Sequence, residues 1–428
     1  MNDYIFYAPY VPENWKIIPN KYVFRPHSKK VGKDFRNYNL LSLTKNGVIL
    51  KDIESNEGKL PASFEGYQTV ERNDLILCLF DLDVSAVFSG LSEYQGMITS
   101  AYDVYQVNTQ LMMPKFAGYW FANVFSERSY SVYSKSLRHT IAYDSFKNIP
   151  IAIPSLEIQS KIVSFLSEKI KTIDSLISNE TKQIEKLEEY KKAVITKAVT
   201  KGLDPGAKMK DSGVEWIGEI PEGWSVLSLK SQFKFEKGLP ITKADLTNAG
   251  IKVISYGQIH SKKNCSTEID NSLFRFVSTD YLKSNPSCLV HKNDLIFADT
   301  SEDLEGTGDF VRISEQDTIF AGYHSIILRN VNNLNTKYLS YLFLSDIWRS
   351  QLRCRVFGVK LFSVTQKLLN CCTILLPNIT EQENIVRLLD SQTKNIRQII
   401  DNKKTKISML VDYKKSLIYE YVTGKKEC

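Results

Sequence analysis

The amino-acid sequence predicts an α+β protein that contains one arrangement twice, a mixed α/β globular part followed by a long helix. A long segment with helical periodicity occurs twice in the chain. The stretches that precede the two copies contain short β-rich runs separated by turn signals. The length of 428 residues also exceeds that of one ordinary domain, so more than one domain is expected.

The two helical segments are copies of one another. An offset of 223 residues aligns them without a gap from Pro154 onwards. Gln159 then falls on Gln382, and the Tyr-Lys-Lys run that begins at Tyr190 falls on the one that begins at Tyr413. Helical periodicity alone would align the apolar positions of unrelated helices, but it would not align these polar residues as well. We therefore infer an internal duplication, which predicts an approximate two-fold repeat.

Each copy carries an apolar stripe of the kind that pairs helices. Its apolar residues recur at three- and four-residue spacing over about six heptads, which is typical of a coiled coil and requires a partner helix. Thr380 and Glu383 have the spacing of a capping box at the start of the second helix. Two independent core helices of one domain are an alternative that fits this length poorly. The residues predicted to form the helix–helix seam are Ile162, Leu166, Ile173, Leu187, Ile385, Leu389, Ile396 and Leu410.

The glycine and proline residues after the first helix mark a connector. Gly202, Pro205 and Gly206 end a helix and favour a turn. The predicted division of the chain is a first globular domain (1–153), a first spacer helix (154–201), a linker (202–210), a second globular domain (211–376) and a second spacer helix (377–428).

Composition and patterning exclude several classes of protein. A hydrophobic fraction of 43% and a charged fraction of 24% exclude a disordered or collagen-like chain. No segment reaches the ~18 apolar residues of a membrane-spanning helix, and the first residues lack the pattern of a secretory signal. Seven cysteines without a C-x-x-C pair and five dispersed histidines give no ligand spacing for zinc, so reduced thiols are expected. We expect a soluble cytoplasmic protein.

The sequence contains no recognisable catalytic motif. It lacks G-x-x-x-x-G-K-[ST], G-x-S-x-G and H-E-x-x-H, so neither a phosphate cradle, a serine nucleophile nor a zinc-protease site is expected. Asp52 with the Glu-Gly-Lys run at 57–59 faintly resembles a metal-dependent nuclease triad, but a polar turn explains the stretch better. No cofactor, no metal and no catalysis are therefore expected of this chain itself, and a binding function remains.

Both globular parts contain basic stretches that suit a polyanion. The net charge of +7 is compatible with nucleic acid but does not require it. Lysine and arginine neutralise phosphates, whereas glutamine, histidine and arginine read base edges. A solvated surface is the alternative for any one stretch. The candidate DNA-binding residues are Arg25, Lys29, Lys30, Lys33, Arg36, Lys237, Lys243, Tyr256, Gln258, His260, Lys262 and Lys263.

Residues 210–224 read KDSGVEWIGEIPEGW and resemble the start of a target-recognition domain in specificity subunits of type I restriction-modification systems. Residues 8–15, APYVPENW, are similar to the same start without its SG-EWIG portion. The openings of the two long helices at Pro154 and Pro377 are similar to the family's P-P-L-x-E-Q helix start, and both lack its second proline. The resemblance covers the whole chain in the order recognition domain, helix, recognition domain, helix. Residues 238–259 also look like a pattern common to one group of recognition domains.

The resemblance implies a function without catalysis in this chain. In this family, each recognition domain reads one half of a bipartite target in double-stranded DNA, and the two helices pair as an antiparallel coiled coil that separates the domains. The helices dock two methyltransferase subunits, which methylate adenine at N6, and motor-nuclease subunits complete the complex. S-adenosylmethionine, ATP and Mg are thereby expected on partner subunits. The alternatives are a coiled-coil scaffold with two protein-binding domains and a repressor-like DNA-binding protein that acts alone.

The apolar stripe is interrupted at corresponding positions near the middle of both copies. Glu180 and Gln183 stand there in the first helix, and Lys403 and Lys406 stand there in the second. Two copies of one helix that pack antiparallel about a two-fold axis cross at their midpoints, so these four polar residues are predicted to meet. The opposite charges favour a contact of Glu180 with Lys403, which would select the antiparallel register. A weak spot open to water is the alternative.

Overall fold

The computed structural model describes residues 11–27, 29–44, 47–52, 63–82, 89–126, 130, 133–134, 140–358 and 361–427. The nuclease-like run at 57–59 and residues 8–10 of the first recognition-domain start lie outside the described residues. The chain divides into two units. The first unit contains residues 1–181 and 404–428, and the second contains residues 182–403. Each long helix therefore contributes a part to each unit.

The globular part of the first unit is built on a four-stranded antiparallel sheet in the order β2-β9-β6-β7. Strands β3 and β4 pair with each other, as do β5 and β8, and β1 pairs antiparallel with β10. The described strands are β1 (Lys16–Pro19), β2 (Phe24–Pro26), β3 (Leu41–Thr44), β4 (Gly47–Leu50), β5 (Gln68–Val70), β6 (Leu75–Leu77), β7 (Ser89–Leu91), β8 (Gly96–Ile98), β9 (Asp103–Val107) and β10 (Pro150–Ile153). The described helices are α1 (Pro114–Ser126), α2 (Tyr143–Phe146) and the long α3 (Leu156–Lys201).

Strand β6 is central because both of its faces are covered. Leu75 and Leu77 belong to the apolar cluster that contains Phe116 and Trp120 of α1. Ile76, which points to the opposite face, belongs to a second cluster on the other side of the sheet. A continuous apolar strand of this kind is expected where a sheet is buried on both sides.

The globular part of the second unit contains two four-stranded sheets. One is antiparallel in the order β14-β22-β18-β20, and the other has the order β16-β15-β21-β17 with β15 and β21 parallel. Shorter pairs are β11 with β12, β13 with β24, and β19 with β23. The strands are β11 (Met209–Asp211), β12 (Glu219–Pro221), β13 (Ser225–Ser228), β14 (Lys234–Lys237), β15 (Ile251–Ile254), β16 (Arg275–Val277), β17 (Leu289–Val290), β18 (Leu295–Ala298), β19 (Thr300–Ser301), β20 (Phe310–Arg312), β21 (Ile319–Ala321), β22 (Ser325–Arg329), β23 (Phe362–Ser363) and β24 (Thr373–Leu376). The helices are α4 (Leu229–Gln232), α5 (Tyr256–Ile259), α6 (Tyr281–Ser284), α7 (Thr336–Leu344), α8 (Asp346–Arg353), α9 (Gln366–Asn370) and the long α10 (Ile379–Val422).

The antiparallel four-stranded sheets of the two units share local features as well as connectivity. When the four strands of each sheet are numbered by their order in the chain, their order across the sheet is first, fourth, second, third in both units. The turn before the second of these strands holds Asn73 in one unit and Asn293 in the other, and both have a φ of 71°. The aspartate that follows, Asp74 or Asp294, accepts the backbone N–H of the residue three positions earlier at 2.8 Å.

Both long helices begin directly after a proline and one polar residue. The Ser155 hydroxyl accepts the Ile158 N–H at 3.3 Å before α3, and the Asn378 side chain accepts the Glu381 N–H at 2.9 Å before α10. The prediction that Thr380 caps the second helix was wrong. Asn378, a strong N-cap residue, starts the helix earlier and leaves Thr380 inside its first turn.

The start of α3 packs on the globular part of its own unit. Ile162, Leu166 and Ile173 are buried in the cluster that holds Trp15 and also Leu417 of α10. The first turns of the predicted seam therefore belong to a domain core as well as to a contact between helices.

The second unit has the same kind of contact. Ile385 and Leu389 of α10 are buried in the cluster that contains Trp224 and, from the end of α3, Ile195. The remaining predicted seam residues are Ile396, which is buried, and Leu187 and Leu410, which are half-buried.

The polar residues in the middle of the helices take part in contacts inside each unit. In the first unit, the Lys406 ammonium lies 2.6 Å from Glu180 Oε1, and Glu180 is buried. In the second unit, Lys403 donates to the Gln183 side chain. A contact of Glu180 with Lys403 stays a prediction.

Two further contacts fix the direction of the helices in the first unit. The rings of Phe165 and Tyr421 lie 4.6 Å apart, and Lys414 donates to Asp174 at 2.7 Å. Residue numbers rise along α3 as they fall along α10, so these parts of the helices run in opposite directions.

A glycine that packs on a tryptophan follows the end of each long helix within two residues. Gly202 has a φ of 73° and Gly424 a φ of 74°, the left-handed conformation that stops a helix. A Cβ at Gly202 would lie 3.4 Å from the Trp224 ring, and one at Gly424 would lie 3.1 Å from the Trp15 ring. The Trp224 indole N–H donates to Glu381 at 3.1 Å, which ties the start of the second domain to the start of α10.

Within the residues that the structure describes, no helix combines the length and apolar character needed to cross a membrane.

Candidate nucleic-acid interface

The five basic candidates of the first domain are all exposed, and four of them share one segment. Lys29 and Lys30 run beside β5, where the Lys29 carbonyl accepts the Thr69 N–H at 2.8 Å. Lys33 and Arg36 follow on the 3-10 helix Gly32–Asn37. None of these four forms an ion pair in the described part of the chain, so their charges are available to a polyanion.

The segment is held by an apolar cluster beneath it. Val31, Phe64 and Met97 are buried there, and Phe35 packs on Phe64 with ring centroids 5.9 Å apart. Arg25 is also exposed, but it stands apart on β2, where it pairs with Gln106. The structure thus groups Lys29, Lys30, Lys33 and Arg36 and leaves Arg25 outside the group.

The recognition-domain pattern in the second domain consists largely of residues that shape the backbone. A Cβ at Gly238 would lie 2.0 Å from the Gly322 carbonyl oxygen, so only glycine fits where β14 approaches this turn. Asp245 accepts the Thr242 N–H at 2.7 Å, which closes the turn that presents Lys243 to solvent. The pattern therefore identifies the fold of this domain more than its DNA contacts.

Gln258 and His260 are engaged in the structure. The Gln258 side-chain oxygen accepts the Ser255 N–H at 3.1 Å and caps α5. One ring nitrogen of His260 lies 2.9 Å from Asp309 and the other lies 2.8 Å from the Thr300 carbonyl. Both partners of His260 are acceptors, so this arrangement favours the protonated ring, in which both nitrogens donate. A contact of His260 with a base edge would break one of these bonds.

A second contact holds Asp309 in place beside His260. Asp309 also accepts a hydrogen bond from the Arg349 guanidinium at 2.8 Å, so this carboxylate is held between two donors. The hydrogen bond that His260 donates to Asp309 raises the pKa of His260 above its ordinary value of 6.5, against the opposing effect of burial.

The remaining candidates of the second domain point to solvent. Lys237, Lys243, Lys262 and Lys263 are exposed. Tyr256 is half-buried and belongs to an aromatic group with Tyr323 and His324 at centroid distances of 5.7 and 5.5 Å.

A cleft of about 690 Å³ lies beside this aromatic group. Lys237 is the predicted residue that lines it, and the structure adds His324, Asp299 and Lys367, which sequence reasoning missed. Nothing in the sequence marks these residues, because they lie on separate segments that meet only in the fold.

The described histidine, cysteine, aspartate and glutamate side chains are dispersed. Among them, no three histidine, cysteine, aspartate or glutamate side chains are grouped to hold a metal ion. Cys288 and Cys372 are buried, and burial raises the pKa of both thiols, that of Cys372 to about 12. Protonated, buried thiols are neither nucleophiles nor metal ligands.

Comparison with known proteins agrees with this description. The family model for the type I restriction modification DNA specificity domain matches residues 99–188 and 221–409. The type I restriction enzyme MjaVIII specificity subunit of Methanocaldococcus jannaschii is 27% identical over 249 residues, which are 58% of this chain and 56% of that protein. The putative type I restriction enzyme MjaX specificity subunit of the same organism is 37% identical over 97 residues, 23% of this chain and 21% of that protein. The alignments thus span about half of the first relative and about a fifth of the second.

The fold is also that of a solved protein. A chain from a study of complex assembly and conformational transition of the type I R-M system matches with a TM-score of 0.67 at 14% identity, over 96% of this chain and 98% of that chain.

The chain is thus an α+β protein of two compact units, each with exposed basic residues. The family matches cover more than half of the chain, and each runs from a globular part into a long helix. The chain belongs to the family of type I restriction-modification DNA specificity proteins.

Proposed function

We propose that this chain is the DNA-reading subunit of a type I restriction-modification complex and that it recognises a bipartite target in double-stranded DNA. The observation that carries the proposal is the family match in both halves of the chain. Each unit has its own apolar core, its own exposed lysines and a four-stranded sheet in the same order. These features suit one half-site per unit, with lysine and arginine on the phosphates.

The proposal includes an internal repeat and an antiparallel coiled coil between the two domains, here assigned to residues 1–153 and 211–376. Gln159 and Gln382 support the repeat, since each donates its side-chain N–H to the carbonyl of the proline five residues earlier, at 2.9 and 2.8 Å. The opposite directions of α3 and α10 within the first unit support the antiparallel pairing. Such a pair of helices would act as a spacer of fixed length between two half-sites.

The chain itself is proposed to have no catalytic activity. Two methyltransferase subunits would dock on the helices and methylate adenine at N6, and motor-nuclease subunits would join through them. S-adenosylmethionine, ATP and Mg would be bound by those partners, and the complex would act in the cytoplasm.

Methylome sequencing tests the proposal most directly. Cells that express the chain together with its methyltransferase partner should acquire methylated adenines in one bipartite motif, and cells that lack the chain should not. A methylome that does not depend on the chain would contradict the proposal.

Two simpler measurements separate the alternatives. DNA affinity that falls steeply with salt is expected for phosphate contacts and would not be seen for a protein-binding scaffold. Co-purification with a methyltransferase is expected for a specificity subunit and not for a repressor-like protein that acts alone.

A further inference from the structure

The cleft of the second domain combines two unpaired positive charges with one oriented imidazole. Lys237 at the end of β14 and Lys367 on α9 both line the cleft and are exposed. Neither lysine has an ion-pair partner among the described residues. His324, in the turn before β22, lines the same cleft.

The backbone of His324 is held in an uncommon conformation. Its φ is 54°, in the left-handed region that residues other than glycine adopt uncommonly, with asparagine, aspartate and histidine the most frequent among them. The Asp299 N–H donates to the His324 carbonyl at 3.2 Å, and the Val364 N–H donates to the Asp299 carbonyl at 2.7 Å. Two neighbouring segments therefore hold this turn in place, and such strained positions concentrate at functional sites.

The His324 ring is oriented as well. Its Nδ1 lies 3.2 Å from Asp299 Oδ1, and its ring packs edge-on against Tyr256 and Tyr323 at centroid distances of 5.5 and 6.0 Å. The side chain is nonetheless 56% exposed. A carboxylate can only accept, so Nδ1 carries the proton and donates it. In the neutral ring, Nε2 is then an acceptor, and no described residue occupies it.

We propose that His324 is a specificity-determining residue of the second domain, whose Nε2 accepts a hydrogen bond from the exocyclic amino group of adenine or cytosine in the major groove. Asp299 is its positioning residue, and Lys237 and Lys367 bind phosphates on either side. This inference rests on the function proposed above. Adenine N6 and cytosine N4 are the amino groups exposed in the major groove, so an oriented acceptor separates these bases from guanine and thymine.

The test uses the full chain with its methyltransferase partner in cells and reads the methylated motif by methylome sequencing. The variants are H324A and H324N, and asparagine tolerates the left-handed backbone so that H324N keeps the turn. H291A is the matched control, because His291 lies in the same domain outside the cleft and its side chain is 75% exposed.

We expect both His324 variants to relax the motif at a single position of one half-site, with about a 10-fold loss of discrimination there, and to leave the other half-site unchanged. D299A should relax the same position by less, which a merely structural role would not do. K237A and K367A should keep the motif and weaken binding of the complex to all duplexes alike. Each should also reduce the steepness with which the logarithm of the binding constant falls with the logarithm of the salt concentration, by about 1.

Two negative results have different meanings. An unchanged motif in both H324A and H324N, with wild-type levels of methylation, would overturn the role of His324 and leave the proposed function intact. A wild-type complex whose methylation does not depend on this chain would instead overturn the proposed function.

Discussion

Substitution of Gly238 by alanine provides a sharp test of the second domain. The added Cβ would lie 2.0 Å from the Gly322 carbonyl oxygen and 2.3 Å from the Ser325 hydroxyl. That carbonyl also accepts the Ser325 hydroxyl at 2.7 Å, and the Gly238 N–H donates to the Ser325 carbonyl at 3.1 Å. Because a backbone oxygen cannot rotate away, the end of β14 must shift away from Gly322 and Ser325.

The cost follows from known overpacking effects. An extra methyl group in a well-packed site lowers the free energy of unfolding by about 1–3 kcal/mol. A contact with backbone, which cannot move easily, favours the upper end of this range. For a domain of this size, a loss of about 3 kcal/mol lowers the melting temperature by roughly 6–12 °C.

Gly257→Ala is the matched control, because a Cβ there meets nothing within 4 Å. Gly257 lies in α5 of the same recognition pattern, so this variant should be as stable as the wild type or slightly more stable.

Thermal unfolding by far-UV circular dichroism should be combined with hydrogen exchange of the β14 and β22 peptides, because two units need not unfold together. Equal melting of Gly238→Ala and wild type, or equal damage in both glycine variants, would refute the reasoning.

Four further outcomes are expected. The contribution of His260 to the free energy of unfolding is complete below pH 6.5 and is lost as the pH rises through the higher pKa of the folded state. The free energy of unfolding of the second unit, measured by urea titration, should therefore fall as the pH rises through that range. The His260→Gln variant should show a flatter dependence on pH. Exchange of residues 211–376 for those of a relative should alter one half of the methylated motif; a change in both halves would contradict one domain per half-site. Insertion of four residues after Glu180 and four after Lys403 should lengthen the spacer by about 6 Å. Since one base pair occupies ~3.4 Å of duplex, the two half-sites should then be separated by one or two more base pairs, with their own sequences unchanged. Retention of the original spacing would show that the helices do not set it. The purified chain without partners should transfer no labelled methyl group to DNA and should not cut it.

The long helices were predictable because their signals are local. The repeat around Gln159 and Gln382 and the apolar spacing after each proline located α3 and α10. The prediction of the second cap failed because Asn378 and Thr380 both have suitable side chains, and sequence alone could not decide which of them begins the helix.

The candidate site was predictable only in part. The basic side chains of Lys29, Lys30, Lys33 and Arg36 are exposed along one segment, since these residues are neighbours in sequence. Arg25 could not be separated from that run by sequence alone, because its place on β2 depends on pairing with β9, which lies about eighty residues further along the chain.

The sequence by itself determined the alternating order of globular parts and long helices, since periodicity and proline breaks act over short stretches of chain. Only the tertiary structure decided which polar side chains remain available for binding. Asp309, which engages His260, lies 49 residues away in sequence, and Asp299, which orients His324, lies 25 residues away. A hydrogen bond between distant segments depends on how the sheets pack, and no local pattern encodes it.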